Sequence, residues 1–401
     1  MVTPAEAERL ILEHMPAWPR EDCPLTDAHG RVLRAAICAD RDLPPFDRVT
    51  LDGYALRSAA LASGLRTFRV EAVQAAGMIP VPLSAAPNAC VEIMTGAVLP
   101  PGADCVVPYE DTTREDATVN VTAASDHARG HAVHGRGTDH RSGEVIVPPG
   151  VRLTGREIAV AAACGAAVLT VGQLPRIAVV ATGDELVEVE AAVAPHQIRR
   201  SNDHAIRAAL AGAGYPRVDR FHLRDMQLEI EQLLQRLIGE YDVVLFTGGV
   251  SKGKFDFLPA ELDRQQVRKV VQGVALRPGK PFWFGVTRRA TPIFALPGNP
   301  VSAYTCLHRF VLPALAQASG LLRRPLASAA LATPFRFRPK LACLLPVRLA
   351  SDADARSVAT PVPGNTSGDF AGLVETDGFV ELPAELDEFP AGTVAPFTPW
   401  V

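Results

Sequence analysis

Between Gly172 and Gly320 the chain alternates short apolar runs with stretches of helical spacing, and this rhythm limits the possible folds more than any other feature. Ile177-Ala-Val-Val-Ala, Val243-Val-Leu-Phe and Ile293-Phe-Ala-Leu have no polar face, so each reads as a strand covered on both sides. Leu228, Leu233, Leu234, Leu237 and Ile238 place a helical stripe between the first two, and Val301 to Leu315 supplies another after the third. A parallel sheet with helices on both faces follows.

The flanking segments have other patterns. Thr3 and Glu6 stand at capping-box spacing, Pro4 suits a first helical position and Pro16 ends the run, so residues 1–20 read as a leading helix packing on the α/β domain. From 40 to 136, β-rich runs such as Phe68-Arg-Val-Glu-Ala-Val and Ala117-Thr-Val-Asn-Val are broken by Pro and Gly, the mark of a mostly β domain. Residues 21–39 and 137–171 link it to the α/β domain at 172–322. Residues 323–401 return to short strands, with turns at Thr376-Asp-Gly-Phe and Pro390-Ala-Gly, as in a small β-barrel or sandwich. The expected class is multidomain α/β plus β: a central parallel-sheet α/β domain, a mostly β insertion domain and a C-terminal small β-barrel.

With 401 residues and a net charge of -4, the chain has no general field for nucleic acid, so an anionic ligand must be held by local groups. Its first residues lack a basic segment followed by an apolar one, and no apolar run approaches the ~20 residues of a membrane span. The expected location is cytoplasmic. Seven cysteines without a C-x-x-C pair read as reduced, mostly buried thiols.

Ligands of a parallel sheet collect at the carboxyl ends of its strands. Here those ends read Thr182-Gly-Asp-Glu, Thr247-Gly-Gly-Val-Ser-Lys-Gly-Lys-Phe-Asp and Leu296-Pro-Gly-Asn-Pro. Gly248 and Gly249 let the backbone approach a phosphate, Ser251 can cap it, and Lys252, Lys254, Arg277 and Lys280 add positive charge. Each turn alone is explained as a common strand-to-helix connection; together they point to an anionic ligand. Asp184, Glu185, Asp225 and Asp256 follow neighbouring strands, and carboxylates beside phosphates suit magnesium. Asp225 also precedes the helical stripe, so helix capping and catalysis explain it equally.

Pro297, Gly298, Asn299 and Pro300 fix a turn and open a helix, which structure alone accounts for. In the β domain, Phe46 to Ala55 is a polar loop whose Asp52-Gly53 reads as a turn, and Met94-Thr95-Gly96 reads as a strand end. His127, His131, His134 and His140 cluster, but Gly130, Gly135 and Gly137 argue against the helix that would align two of them for a metal.

As an ordered series these motifs resemble the molybdopterin molybdenumtransferase family, which includes the E domain of gephyrin. The carriers are Phe46-Asp47 with Asp52-Gly53-Tyr54-Ala55, Ile93-Met94-Thr95-Gly96-Ala97, Gly135-Arg136-Gly137-Thr138-Asp139, Thr182-Gly-Asp-Glu-Leu186, Gly248-Gly-Val-Ser251, Pro278-Gly-Lys-Pro281 and Leu296-Pro-Gly-Asn-Pro-Val-Ser302. The resemblance spans nearly the whole chain. It implies an elongated homodimer of four domains, in which the α/β domain holds adenylylated molybdopterin and the neighbouring subunit's β domain closes the site.

The activity so implied is insertion of molybdate with magnesium's help and release of AMP, the substrate coming from a molybdopterin adenylyltransferase partner. Asp52 matches the family's acid in the D-G-Y-A loop, and Glu185, Asp225 and Asp256 match its acids around the pterin phosphates; Asp52, Asp225 and Asp256 are the expected catalytic acids, and Asp184 and Glu185 the expected metal ligands. Thr95, Asp139, Arg277, Lys280, Pro297, Pro300 and Ser367 match positions of substrate or molybdate contacts, and Gly248, Gly249, Ser251, Gly298 and Asn299 are expected beside them as substrate-binding residues. Departures occur at Arg200, where the family has an acid before Ser/Thr-Asn, at Thr138, at Lys252, and around Lys340, where a family arginine and aromatic are replaced. A tungstate-inserting relative and a non-catalytic scaffold are the alternatives on the same fold.

Overall fold

The computed structural model describes residues 1–122, 127–224, 226–249, 258–362, 364 and 366–401, with Gln227 described by its backbone only. They form two compact units, one of residues 1–34, 150–154 and 169–401, the other of residues 35–149 and 155–168.

The second unit is built on a six-stranded sheet of β1 (Gly53–Leu56), β2 (Thr67–Gln74), β3 (Ala89–Ile93), β4 (Cys105–Pro108), β5 (Thr112–Glu115) and β6 (Thr118–Val121), in the order β4-β1-β3-β2-β6-β5. Strand β1 is buried at all four positions because β3 and β4 pair with its two edges and its faces join separate apolar clusters, Tyr54 and Leu56 in one and Ala55 in the other. Gly53 is therefore not a turn residue. A Cβ there would stand 2.0 Å from the Val107 carbonyl oxygen, so only glycine lets β4 approach. The described part of the histidine stretch is not helical: Val133–His134 pairs with Arg48–Val49 instead.

The first unit opens with α1 (Pro4–His14), whose Thr3 Oγ1 accepts the Glu6 N–H at 3.2 Å. The return arm of the capping box is not made, because the Glu6 carboxylate turns to Arg9 at 2.7 Å. Ala7 and Ile11 of α1 are buried in the α/β core. That core surrounds a sheet of β7 (Ile177–Thr182), β8 (Val218–Leu223), β9 (Val243–Thr247), β10 (Arg268–Gln272), β11 (Trp283–Val286) and β12 (Pro292–Leu296), ordered β8-β7-β9-β12-β11-β10.

The first four strands in that order are parallel, whereas β11 and β10 run antiparallel as an edge hairpin. Side chains alternate between faces. Ile177, Val179, Val243, Leu245 and Phe294 meet α1 and α2 (Asn202–Gly212) on one face; Ala178, Val180, Val244, Phe246 and Ile293 meet α3 (Gln227–Glu240) on the other. Burial of each large side chain contributes about 1.5–3 kcal/mol. In α3 the inward residues are Ile230, Leu234 and Leu237, while Leu228 is exposed, so the buried stripe starts at Ile230 and not at Leu228 as predicted.

After β12 a single long helix runs through α4 (Pro300–Cys306), a π-helical turn at Leu307–Val311 and α5 (Leu312–Ala318). Pro313 has no N–H to give to the preceding turn, and the wide turn takes up the misfit. It places Arg309 against Glu8 (2.7 Å) and Glu381 (2.6 Å), with Arg323 also on Glu8 at 2.6 Å. Burial pushes the His308 imidazole down to about 4, so the ring is neutral: Nδ1 donates to the Tyr304 carbonyl at 2.9 Å and Nε2 accepts the Val401 N–H at 3.1 Å.

The last segment is a closed barrel, not a sandwich. Strands β13 (Ala327–Leu331), β14 (Ala342–Ser351), β15 (Ser357–Pro361), β16 (Gly378–Leu382) and β17 (Val394–Pro399) follow the order β14-β15-β13-β17-β16, and β16 returns to β14. A two-residue strand from the α/β side, Leu276–Arg277, adds in parallel to Ala342 and Cys343. All seven cysteines are free, and only Cys38 is exposed.

Candidate functional site

The parallel register sets Thr182 beside Leu223, Ala181 beside Thr247 and Thr247 beside Leu296, so the ends of β7, β9 and β12 lie side by side. Their loops line a cavity of about 610 Å³ that includes Thr182, Gly183, Glu185, Gly248, Gly249, Pro297, Gly298, Asn299 and Pro300. Gly248 and Gly249 have φ of 92° and 68°, a left-handed backbone that glycine adopts without strain. A Cβ on Gly248 would meet Thr182 Oγ1 at 2.7 Å and the Thr182 carbonyl at 2.9 Å. The turn is thus pressed against β7.

Asn299 begins α4 without a side-chain cap, contrary to the capping expected from sequence. Its Nδ2 instead donates to Ser367 Oγ at 2.7 Å, while the Ser367 carbonyl accepts the Val301 N–H at 3.1 Å. Ser367 belongs to a second cavity, of about 530 Å³, with Arg277, Lys280, Ser302, Thr366 and Asp369 on its wall. Pro281 lines both cavities. No salt bridge among the described residues engages Arg277 or Lys280. Lys340 is directed to Asp387 at 3.2 Å, and Leu341 takes its place on the wall, so Lys340 is not gathered with the other cations. Burial pushes the Cys343 thiol behind Arg277 up to about 12, which keeps it neutral.

Two further predicted residues meet in the β unit. Asp52 Oδ1 accepts the Thr95 N–H at 2.6 Å and the Thr95 hydroxyl at 2.8 Å, because β1 and β3 are paired and these residues flank their ends. Both bonds, the backbone one first, hold the Asp52 carboxyl below its ordinary range. The contribution of these bonds is present above the unfolded pKa and lost as the pH falls through the lower folded value. Thr95→Ala is expected to raise the Asp52 midpoint only part of the way, since the backbone N–H remains; a carboxyl-resolved NMR titration reads this, and an unmoved midpoint would mean the hydroxyl contributes nothing. Asp139 Oδ1 lies 3.0 Å from His134 Nε2.

Asp225, Ser251, Lys252, Lys254 and Asp256 lie outside the described residues. Among the described residues no group of three acids, imidazoles or thiols is arranged to hold a metal. Glu185 is the carboxylate of the predicted metal pair that lines the first cavity, with Asp184 next to it in sequence. Sequence reasoning assigned no role to Asn202, whose Nδ2 bridges Thr247 Oγ1 (2.8 Å) and the Gly298 carbonyl (2.7 Å). Its position at the start of α2, just beyond the Arg200 departure, was the available signal.

Three family models cover the chain. The MoeA N-terminal region (domain I and II) matches residues 2–165, a probable molybdopterin binding domain matches 178–317, and the MoeA C-terminal region (domain IV) matches 328–400. A molybdopterin molybdenumtransferase of Synechocystis is 38% identical over 406 residues, covering 100% of both chains. A molybdopterin molybdenumtransferase 2 of Mycobacterium tuberculosis is 31% identical over 410 residues, covering 97% of each. A crystal structure of the molybdopterin biosynthesis MoeA protein of Pyrococcus horikoshii is similar with a TM-score of 0.84 at 24% identity, over 100% of both chains.

Proposed function

Since the chain belongs to the molybdopterin molybdenumtransferase family and is a transferase of molybdenum cofactor biosynthesis, we propose that its two adjoining cavities hold the two anions of that reaction, adenylylated molybdopterin and molybdate. The observation that carries this reading is the Asn299–Ser367 hydrogen bond of 2.7 Å, which ties the glycine-lined cavity to the one bearing Arg277 and Lys280. Bringing two anions to fixed neighbouring places removes the entropy and repulsion that keep them apart in water.

In this reading the Gly249 N–H receives a phosphate of the ligand, while the Gly248 N–H is held by the Leu296 carbonyl at 3.1 Å, which with the pressed turn keeps the loop from relaxing away. Arg277 and Lys280, lacking carboxylate partners among the described residues, are free to receive an oxyanion, with Ser302 and Ser367 as hydroxyl donors. Oxygen donors alone mark the acidic side of the first cavity, which suits magnesium: Glu185 and Thr182 Oγ1, with Asp184 next to Glu185 in sequence, would hold it beside the phosphates. When bound, magnesium neutralises charge at the phosphoanhydride that joins AMP to the pterin. Asp52, Asp225 and Asp256 are proposed as the catalytic acids, and Thr95, Asp139, Pro297, Gly298, Pro300 and Ser251 as substrate contacts.

The remaining proposals concern context. The protein works as a cytoplasmic homodimer that receives its substrate from a molybdopterin adenylyltransferase; the free thiols agree with a reducing compartment, and no helix among the described residues is long and apolar enough to cross a membrane. Light scattering checks the dimer by its mass.

The test incubates the protein with adenylylated molybdopterin, magnesium and either molybdate or tungstate, following AMP and cofactor. AMP release should require an oxyanion, be faster with molybdate, and fall at least roughly tenfold after exhaustive chelation, the low end of what a catalytic cation contributes. Release that survives chelation unchanged removes the metal from the proposal, a preference for tungstate identifies the tungstate-inserting alternative, and no release with either oxyanion leaves the scaffold.

A further inference from the structure

Arg200 occupies a place where a cation is not expected, and its surroundings say what it does there. The short strands Leu186–Val187 and Ile198–Arg199 pair in parallel to form a ribbon that lines the first cavity, and the Arg200 N–H closes it on the Val187 carbonyl at 2.9 Å. The Arg200 side chain is 6% exposed, with Nη2 3.2 Å from Glu188 Oε2 on the ribbon and 3.3 Å from Asp203 Oδ2 in the first turn of α2. Asp203 is fully buried and also meets Arg220 at 3.0 Å. One guanidinium therefore joins the ribbon to the helix start.

Asn202 lies between these anchors. The Gly298 carbonyl can only accept, so the Asn202 amide must present its Nδ2 to it, and the same nitrogen reaches Thr247 Oγ1. Asn202 Oδ1 is then left buried with no hydrogen-bond donor, in a residue that lines the cavity. A carbonyl oxygen does not attract a phosphate or an oxyanion. Its complement is an N–H, and the fused nitrogen heterocycles of a pterin nucleotide carry such donors.

We propose that Arg200 is a positioning residue that locks α2 against the ribbon, so that Asn202 Oδ1 receives an N–H, of a ring nitrogen or an amino group, from the heterocyclic ligand; this rests on the reading of the first cavity as the pterin-nucleotide site. Arg200 touches no ligand. Its effect runs through Glu188 and Asp203 to the angle at which Asn202 meets Thr247 and Gly298.

The test measures dissociation constants of molybdopterin and of AMP, each as the probe, for the full chain and its variants, with unfolding temperature recorded alongside. Asn202→Ala should weaken one probe about tenfold, the effect of one lost hydrogen bond to a buried acceptor. Loss for molybdopterin assigns the pterin N–H, and loss for AMP assigns the adenine amino group. Arg200→Ala should weaken the same probe by a similar factor, Arg200→Lys by less, and the Arg200→Ala/Asn202→Ala double variant no more than either single one, because both remove the same contact. Should Arg200→Ala not fold with Asp203 left short of a partner, Arg200→Lys and Glu188→Ala carry the test. Folded Arg200 variants that bind both probes like wild type, or losses that add in the double variant, overturn the proposal even if melting temperatures fall. Wild-type protein that binds neither probe overturns the cavity reading itself, and the proposal with it.

Discussion

Gly248→Ala is expected to lower AMP release roughly a hundredfold, about 2.7 kcal/mol in activation free energy, while leaving the chain folded. The added Cβ has nowhere to go: the Thr182 hydroxyl is 2.7 Å and the Thr182 carbonyl 2.9 Å from its place. Rotating the hydroxyl clears one contact, but the carbonyl is fixed by β7, which pairs with strands on both sides. The turn must lift, which breaks the 3.1 Å bond from the Gly248 N–H to the Leu296 carbonyl and carries the Gly249 N–H from the position where it would meet a phosphate. The left-handed φ of 92° adds strain of about 1–2 kcal/mol. At Gly249 the nearest atom is only the Thr182 hydroxyl, at 3.0 Å, so Gly249→Ala should cost visibly less. Ligand binding and turnover of the two variants, with circular dichroism as the folding control, decide the matter. Equal, near-normal activity in both would mean that this turn does not cradle the ligand.

Arg309→Ala should produce the largest loss of stability among single changes away from the cavities, about 3–5 kcal/mol. Arg309 is 10% exposed between Glu8, 12% exposed, and Glu381, 23% exposed. Removing the cation leaves Glu381 with no described partner and Glu8 with Arg323 alone. The cost arises from the abandoned carboxylates more than from lost attraction, so Arg309→Met combined with Glu381→Gln should recover part of it. Urea unfolding and hydrogen exchange of α1 report the effect. A single variant within about 1 kcal/mol of wild type would place this trio with weak surface pairs.

Much of this was legible because the α/β domain writes its burial into its composition. Strands buried on both faces must be apolar at every position, and β7, β9 and β12 were visible for that reason. The edge hairpin was less legible: Gly285 interrupts β11, and β10 has an exposed and basic start. Leu276–Arg277 is too short to show any periodicity, and its partner lies far along the chain at Ala342–Cys343.

Within the site, glycines and prolines announced the turns because backbone geometry restricts their replacement. What hydrogen-bonds to what was hidden. Asn299 has the signature of a helix cap yet serves Ser367, and Lys340 looked available yet faces Asp387. Arg200, a charge buried by pairing, had no pattern of its own in the sequence.

The strand Leu276–Arg277 gives the second cavity an unusual mechanical character. Arg277 is carried by a connection of the α/β domain, but its backbone is a member of the barrel's sheet, and the Ala342 N–H is tied to the Ala275 carbonyl at 2.9 Å. The guanidinium is therefore mounted on a bracket bolted at both ends. Rocking of the barrel cannot open a gap at this wall without carrying Arg277 along, so in the proposed reading the cation would move with the oxyanion it holds. Any opening of the cavity would then fall to Thr366, Ser367 and Asp369, which line it but belong to neither sheet.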